Sequence, residues 1–501
     1  MRLSAILLLG LLLRFFVAPW APIHGNNHGI HDVRVLVVNG LDAVGKSGPY
    51  GDTFFVILNS LLSVLGKSDQ VLFGLNALFG TLAIAGLYLL AKELRFSEKS
   101  ALLAALFFCL SPSQVWLAGT ESQMALHLCL GLAGLALLLR ALKTASGPWL
   151  WTAAALLSVS AALHVITTPF LLVAAAVALS ESRTGAAWPK GLRRHLAAAL
   201  ALSAGAIFLH ARSIDAAMLL KGLGGFDGPS LLKAWASSSN ILWDPTLTPA
   251  ALPVLALAGA VLMRQHRPEQ LRTLVLAAVL LIPLSFSVSA CRTDALRYQA
   301  PTHWLLYLLA AFPFSVPMKP AREVKLVRAA CLLVAATALP GLLLLKDGDE
   351  YSREYRFMRQ VAERVGPTTF LWLPTRTATR LAEPEFPDYV NGLPLLRGLE
   401  PYPFDGSDGR LAYLGLDCYL LFDGEDEAQT FDAATGLRRE CAAACAGSKT
   451  ALLETTLDAR PARWGFQKRY WRRSRPQPVI GLYRCRTQRR AGAAPPPAPR
   501  A

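Results

Sequence analysis

The chain has 501 residues, 53% hydrophobic and only 17% charged, and its 50 Lys and Arg against 34 Asp and Glu leave a formal net charge of +16. Long Leu, Ala and Val blocks exclude collagen-like, disordered and disulfide-only scaffolds, which carry far less apolar surface. The bases lie mostly between apolar runs and in the tail, the distribution of a membrane protein rather than of a nucleic-acid binder.

A helix crosses a hydrocarbon core of about 30 Å with about 20 apolar residues, each rising about 1.5 Å. Runs of this kind predict eleven spans, near 3–19, 71–91, 100–116, 121–140, 149–164, 166–181, 195–211, 250–263, 272–290, 299–317 and 328–345. Alternate connections hold the bases: Lys92, Arg95 and Lys99; Arg140 and Lys143; Arg183, Lys190, Arg193 and Arg194; Arg264, Arg267 and Arg272; Lys319, Arg322, Lys325 and Arg328. Cytoplasmic loops are the ones enriched in Lys and Arg, so these are read as cytoplasmic, with the N-terminus inside and everything after Leu345 outside. Residues 1–19 read as an anchor, because Pro19-Trp20-Ala21-Pro22 lacks a small-x-small cleavage site.

Three outward segments, about 20–70, 212–249 and 346–501, are too long to be simple links, and function is sought there. In the first, Gly40-Leu-Asp-Ala-Val-Gly45-Lys46-Ser47 matches the phosphate-binding pattern GxxxxGK[ST]. A nucleotide-binding loop needs a parallel sheet, a phosphate-holding helix and an acidic metal partner within a sizeable domain. A short loop on the side without ATP supplies none of these, so the match reads as a Gly-rich turn with a solvated Lys and no nucleotide. His24, His28 and His31 precede Asp32 at spacings that would ligate a divalent metal on a helical loop. Gly25-Asn26-Asn27 argues for irregular backbone there, and the bland reading is solvated or interfacial histidines.

Arg14 lies inside the first span, where a charge costs at least a few kcal/mol unless satisfied. Glu121 follows Gly119-Thr120 at the outward end of another span, and for both residues an architectural role is the expectation. Trp116, Trp235 and Trp243 read as interfacial belt residues. In the tail, Tyr351–Val365 has helical spacing, whereas Thr369–Leu373, Leu411–Phe422 and Pro478–Cys485 read as strands. Residues 346–488 therefore read as an extracytoplasmic α/β domain and 489–501 as a disordered Arg/Pro/Ala-rich end. In an oxidising compartment Cys418, Cys441, Cys445 and Cys485 would form two disulfides, in one of three pairings. The fold class is thus an α-helical polytopic membrane protein of about eleven spans over 1–345, followed by a C-terminal α/β domain.

Three stretches carry a resemblance: Tyr50-Gly-Asp-Thr-Phe-Phe-Val-Ile-Leu-Asn-Ser-Leu-Leu-Ser-Val-Leu-Gly66, Leu75 to Leu94, and Ala101 to Pro112. In order and spacing they resemble the GT-C glycosyltransferases, in particular their protein-mannosyltransferase-like and aminoarabinose-transferase-like bacterial branch. The likeness covers residues 1 to about 180, and more weakly the Arg297-Tyr298-Gln299-Ala300-Pro301 opening of a later span. It implies a GT-C-like membrane domain that moves a sugar from a polyprenyl-phosphate carrier to a lipid, glycan or protein hydroxyl outside the cytoplasmic membrane. Family members open their first outer loop with an Asp-Glu pair ahead of a His-Pro-Pro-like turn into an interfacial helix. Here Asp32 stands 18 residues before Tyr50, Val33 replaces the Glu, and the turn reads Gly48-Pro49-Tyr50-Gly51. Asp32 is the implied catalytic residue, with Asp42 and Asp52 as alternatives.

A hydroxyl attacking a sugar carbon needs its proton taken, and one carboxylate suffices because the leaving phosphate needs no acid. The carrier phosphate gains charge as the sugar leaves and calls for a cation. Arg297 is the first candidate, with Arg292 and Lys46 behind it. A transporter or lipid flippase is the competing reading, and an inactive relative lacking the Glu a third. The absence of internal repeats, and the gathering of charge at the outer rim, favour the transferase.

Overall fold

The computed structural model describes residues 2–20, 52–66, 68–163, 167, 169–183, parts of 191–205, 244, 246–289 and 299–347, together with five strands between 371 and 485. These residues fall into two units, one holding the helices and the other the strands.

The helical unit begins with α1 (Leu3–Phe16) and α2 (Asp52–Leu65). Phe54, Leu58 and Leu62 of α2 repeat every four residues and are buried, whereas Val56, Val64 and Leu65 are exposed, so the helix is amphipathic. Ser68 caps α3 (Asp69–Glu93) by accepting from the Val71 amide at 3.2 Å, and Ser97 caps α4 (Glu98–Leu110) by accepting from the Ser100 amide at 3.2 Å. Next come α5 (Pro112–Ala118), α6 (Met124–Thr144), α7 (Gly147–Ala161) and α8 (Pro169–Arg183). After the loop 246–250 come α9 (Ala251–His266) and α10 (Pro268–Ser289). A 3-10 turn at Ala300–Thr302 leads into α11 (Trp304–Ala311), a second 3-10 turn at Phe312–Ser315, and α12 (Pro320–Asp347).

Three of these helices, α3, α6 and α12, are long and apolar enough to cross a membrane alone, and α4 with α5 would make a fourth. Several expected spans are corrected in their bounds. The run 100–116 is a bent pair, turning by 64° at Ser111, because Pro112 has no N–H to continue the ladder. The span expected at 121–140 begins only at Met124 and extends to Thr144, leaving 120–123 as a turn. The run 299–317 is broken by Pro301 and Pro313 into helix and 3-10 pieces. The last span starts at Pro320 rather than 328. The run 195–211 lies largely outside the described residues.

Four of the five basic connections meet at one end of this unit. Lys92 pairs with Glu98 at 2.9 Å, Lys99 with Glu323 at 2.9 Å and Lys143 with Glu93 at 3.3 Å, while Arg267 Nη1 donates to the Arg95 carbonyl at 2.7 Å. The alternation of basic and non-basic connections therefore corresponds to two opposite ends of the helices.

In the strand unit, β1 (Leu371–Trp372), β2 (Pro401–Tyr402), β3 (Gly415–Asp417), β4 (Lys449–Thr456) and β5 (Val479–Cys485) form one sheet in the order β2-β1-β3-β5-β4. β1 is parallel to β2 and β3, whereas β5 is antiparallel to β3 and β4, with an irregularity between Ala451 and Leu453. β1, β3 and β5 lie within the three segments read as strands, while β2 and β4 were not anticipated.

Candidate functional site

The bend between α4 and α5 frees backbone groups that the membrane cannot hydrate, and polar side chains gather around it. The Ser113 amide donates to the Leu247 carbonyl at 3.0 Å, which ties the bend to the loop 246–250. That loop is shaped by Asp244, whose Oδ1 accepts from the Thr246 amide at 2.9 Å and its hydroxyl at 2.7 Å. Tyr307 of α11 donates its hydroxyl to Ser111 Oγ at 2.8 Å, and Ser111 and Ser113 share a bond of 3.1 Å. Gln114 Nε2 donates to the Ala300 carbonyl at 2.7 Å, fastening α5 to the first 3-10 turn. All of these side chains are buried.

The turn 120–123, which precedes α6, is held by Asn76 of α3. Its Nδ2 donates to the carbonyls of Thr120 at 2.6 Å and Ser122 at 3.3 Å. Glu121 lies in this turn at 2% exposure, between the two residues whose carbonyls Asn76 holds. One turn into α6, His127 Nδ1 shares a 2.7 Å bond with Ser160 Oγ, and its ring meets Phe170 edge-on with centroids 4.8 Å apart. Phe170 in turn meets Trp304 edge-on at 6.0 Å. A continuous line of polar and aromatic side chains thus links α7, α6, α8 and α11.

Arg14 is fully buried, with Nη1 donating to the Gly10 carbonyl at 3.1 Å and the guanidinium 5.8 Å from the centre of the Phe108 ring. Gly80 admits it, since a Cβ there would stand 2.9 Å from Arg14 Nε. Nε and Nη2, the edge that grips a carboxylate in bidentate pairs, have no hydrogen-bond partner among the described residues. Arg14 therefore does not reach an interface and stays among α1, α3, α4 and α5.

Asp32, Asp42, Lys46, Arg292 and Arg297 lie outside the described residues, as do His24, His28 and His31, Trp235 and Trp243, and Cys418, Cys441 and Cys445. Asp52 opens α2 and Cys485 closes β5, with their side chains likewise undescribed. Among the described residues Cys109, Cys129 and Cys331 are free, and no group of three metal-ligating side chains occurs. Trp116, read as a belt residue, is half-buried in α5.

Sequence reasoning passed over Asn76, Gln114, His127, Gln299, His303 and Tyr307. The available signal was a polar residue inside an apolar run, which membranes tolerate only when it faces the protein interior. Gln123, Gln299 and His303 are each at most 2% exposed, and among the described residues both polar side-chain atoms of each lack a hydrogen-bond partner, as does Nε1 of Trp304.

The helical unit, broken at two places around buried polar side chains, shares its fold with a solved membrane protein. The chain matches the crystal structure of ArnT, the aminoarabinose transferase of Cupriavidus metallidurans, bound to undecaprenyl phosphate, with a TM-score of 0.50 and 12% identity over 99% of both chains. The apo form of that protein matches with a TM-score of 0.47 and 14% identity, over 95% of this chain and 97% of the other. An oligosaccharyltransferase of Archaeoglobus fulgidus, crystallised with zinc and sulfate, matches with a TM-score of 0.44 and 12% identity. That match covers 80% of this chain, which spans 59% of the archaeal protein's length. No protein-family model matches the chain, and no curated protein matches it in sequence. The likeness to the Cupriavidus metallidurans structure is one of fold.

Proposed function

We propose that the protein is a membrane glycosyltransferase that takes a sugar from a polyprenyl-phosphate donor and passes it to a hydroxyl of a lipid, glycan or protein. The observation that carries this reading is the likeness, over 99% of both chains, to a transferase captured with undecaprenyl phosphate. The setting is the bacterial cytoplasmic membrane, with the basic end of the helical unit facing the cytoplasm. The first-loop carboxylate, Asp32 with Asp42 and Asp52 as alternatives, takes the acceptor's proton as it attacks the sugar carbon and the phosphate leaves. Arg297 meets the charge growing on that phosphate, with Arg292 and Lys46 as alternatives. The strand unit belongs to an extracytoplasmic domain closed by two disulfides among Cys418, Cys441, Cys445 and Cys485.

The test is release of sugar from undecaprenyl-phosphate-linked donors by the full-length protein in lipid nanodiscs. Asp32→Asn is expected to cut turnover by about a hundredfold or more while preserving donor binding. Arg297→Ala should mainly raise the KM for donor, and Lys46→Ala should spare most activity. Normal turnover in all three Asp→Asn variants would sink the first-loop base. A reporter fused after Leu345 that is active in the cytoplasm would reverse the orientation.

A further inference from the structure

Seven polar atoms on four side chains, Gln123, Gln299, His303 and Trp304, are buried without a hydrogen-bond partner among the described residues. A buried polar atom left unmatched costs about 1–3 kcal/mol relative to a satisfied one, so such atoms call for a partner. Gln299, His303 and Trp304 are close in the fold, and Gln123 connects to them through a chain of ring contacts. Gln299 and His303 bracket the 3-10 turn Ala300–Thr302, which is fixed from outside by Gln114 on the Ala300 carbonyl at 2.7 Å and from within by the Thr302 hydroxyl on the Gln299 carbonyl at 2.8 Å. Trp304 follows directly and connects through Phe170, at 6.0 Å, to His127. Gln123 is one helical turn before His127, with the His127 amide bonded to its carbonyl at 2.9 Å, and therefore lies on the face of α6 that looks toward Phe170.

The chemistry of this set is mixed rather than ionic. Each amide brings two donors and an acceptor oxygen, the neutral imidazole one donor and one acceptor, and the indole one donor. An oxyanion would call for donors alone and an ammonium for acceptors alone. Sugar hydroxyls, which donate and accept at once, match the mixture, and an indole ring supplies the apolar wall that such pockets use. We propose that Gln123, Gln299, His303 and Trp304 form the subsite that reads the hydroxyls of an uncharged sugar ring, and that this sugar is the one carried by the lipid donor. The proposal rests on the transferase reading for its lipid carrier, though not for its sugar. A site built to pair hydroxyls discriminates strongly against ligands that leave its polar groups unmatched, so these residues set sugar specificity.

Two measurements on the full-length protein in nanodiscs test it. The first is melting temperature without ligand for Gln123→Met, Gln299→Met and His303→Leu. Replacing an unsatisfied polar group by an apolar one of similar size is expected to leave melting unchanged or raise it, whereas a fall of several degrees shows that the group has a protein partner and overturns the proposal. The second is affinity for undecaprenyl phosphate, for the same lipid bearing glucose, mannose, galactose, arabinose or aminoarabinose, and for the soluble methyl glycosides. At least one neutral sugar should tighten binding tenfold or more over the bare carrier. The three variants should lose that gain and keep carrier affinity within about twofold. A gain that survives in the variants, a preference for cationic aminoarabinose, or no gain from any neutral sugar overturns the subsite even where the carrier binds. Binding of methyl glycosides that the variants abolish, with no carrier binding at all, upholds the subsite and ends the lipid-donor reading instead. Silence from every ligand ends both.

Discussion

Helices α6 and α12 are equally apolar, yet 72% of the most apolar window of α6 is buried inside the protein and only 28% of that of α12. α6 runs between α3 and α7, and Gly134 lets the Leu157 side chain approach to where a Cβ would stand 2.7 Å from its Cγ. α12 exposes Leu332 and Leu343 at 72% and 64%, and touches its neighbours along a single stripe of Val334, Ala338 and Leu342. Lipid is as apolar as Leu, so hydropathy is blind to the difference. Both helices carry a glycine where another segment approaches, Gly134 in α6 and Gly341 in α12, so what separates them is how extensively each meets its neighbours, together with buried polar side chains such as His127, whose partner Ser160 comes from α7.

The comparison is most sharply broken at Gly134. Gly134→Leu is expected to destabilise the protein by about 3 kcal/mol, because the Leu157 side chain and backbone leave no room for added methylenes. Loss of the monodisperse peak in size-exclusion chromatography, or a large drop in melting temperature, would register it. A wild-type profile would show that α6 and α7 are not packed as described.

A smaller effect of opposite sign is expected at Arg14. Its Nε and Nη2 have no hydrogen-bond partner among the described residues, so Arg14→Met exchanges a buried cation without a carboxylate partner there for an apolar chain of similar length. Melting should hold or rise, by the equivalent of about 1 kcal/mol or more. A clear fall would reveal an anionic partner for the guanidinium.

Tyr307→Phe should cost about 1 kcal/mol, the usual net value of one buried hydrogen bond, since Ser111 keeps its contact with Ser113. Chemical denaturation that detects no change would mean that α11 does not depend on the bend between α4 and α5. The least effect belongs to the lipid-facing side. Leu332→Ala should shift melting by the equivalent of less than about 0.5 kcal/mol, and a larger loss would place α12 against a protein surface.

Most of the helical architecture was legible in the sequence, and the reasons can be read from particular residues. Apolar runs marked α3, α6 and α12, and the placement of Lys92, Lys99, Lys143 and Arg267 indicated connections that the structure gathers at one end. The break at Pro112 had its signal in the chain, because a proline within an apolar run removes a helical donor, yet the run alone read as one straight span. The candidate site was far less legible. Gln114, Gln299 and Tyr307 belong to segments nearly 200 residues apart, and only the folded chain brings Gln114 to the Ala300 carbonyl and Tyr307 to Ser111.

Composition and periodicity by themselves determined that the chain is a multi-span helical membrane protein, because the cost of burying backbone and charge in lipid acts on each residue locally. Tertiary structure alone decided which of two equally apolar helices is central, that Arg14 stays within the protein, and that Gln123, Gln299, His303 and Trp304 are buried with polar atoms unmatched among the described residues. These depend on what other segments place beside a residue. Hydrogen-bond satisfaction is a property of neighbours in space, and a linear sequence does not specify those neighbours one residue at a time.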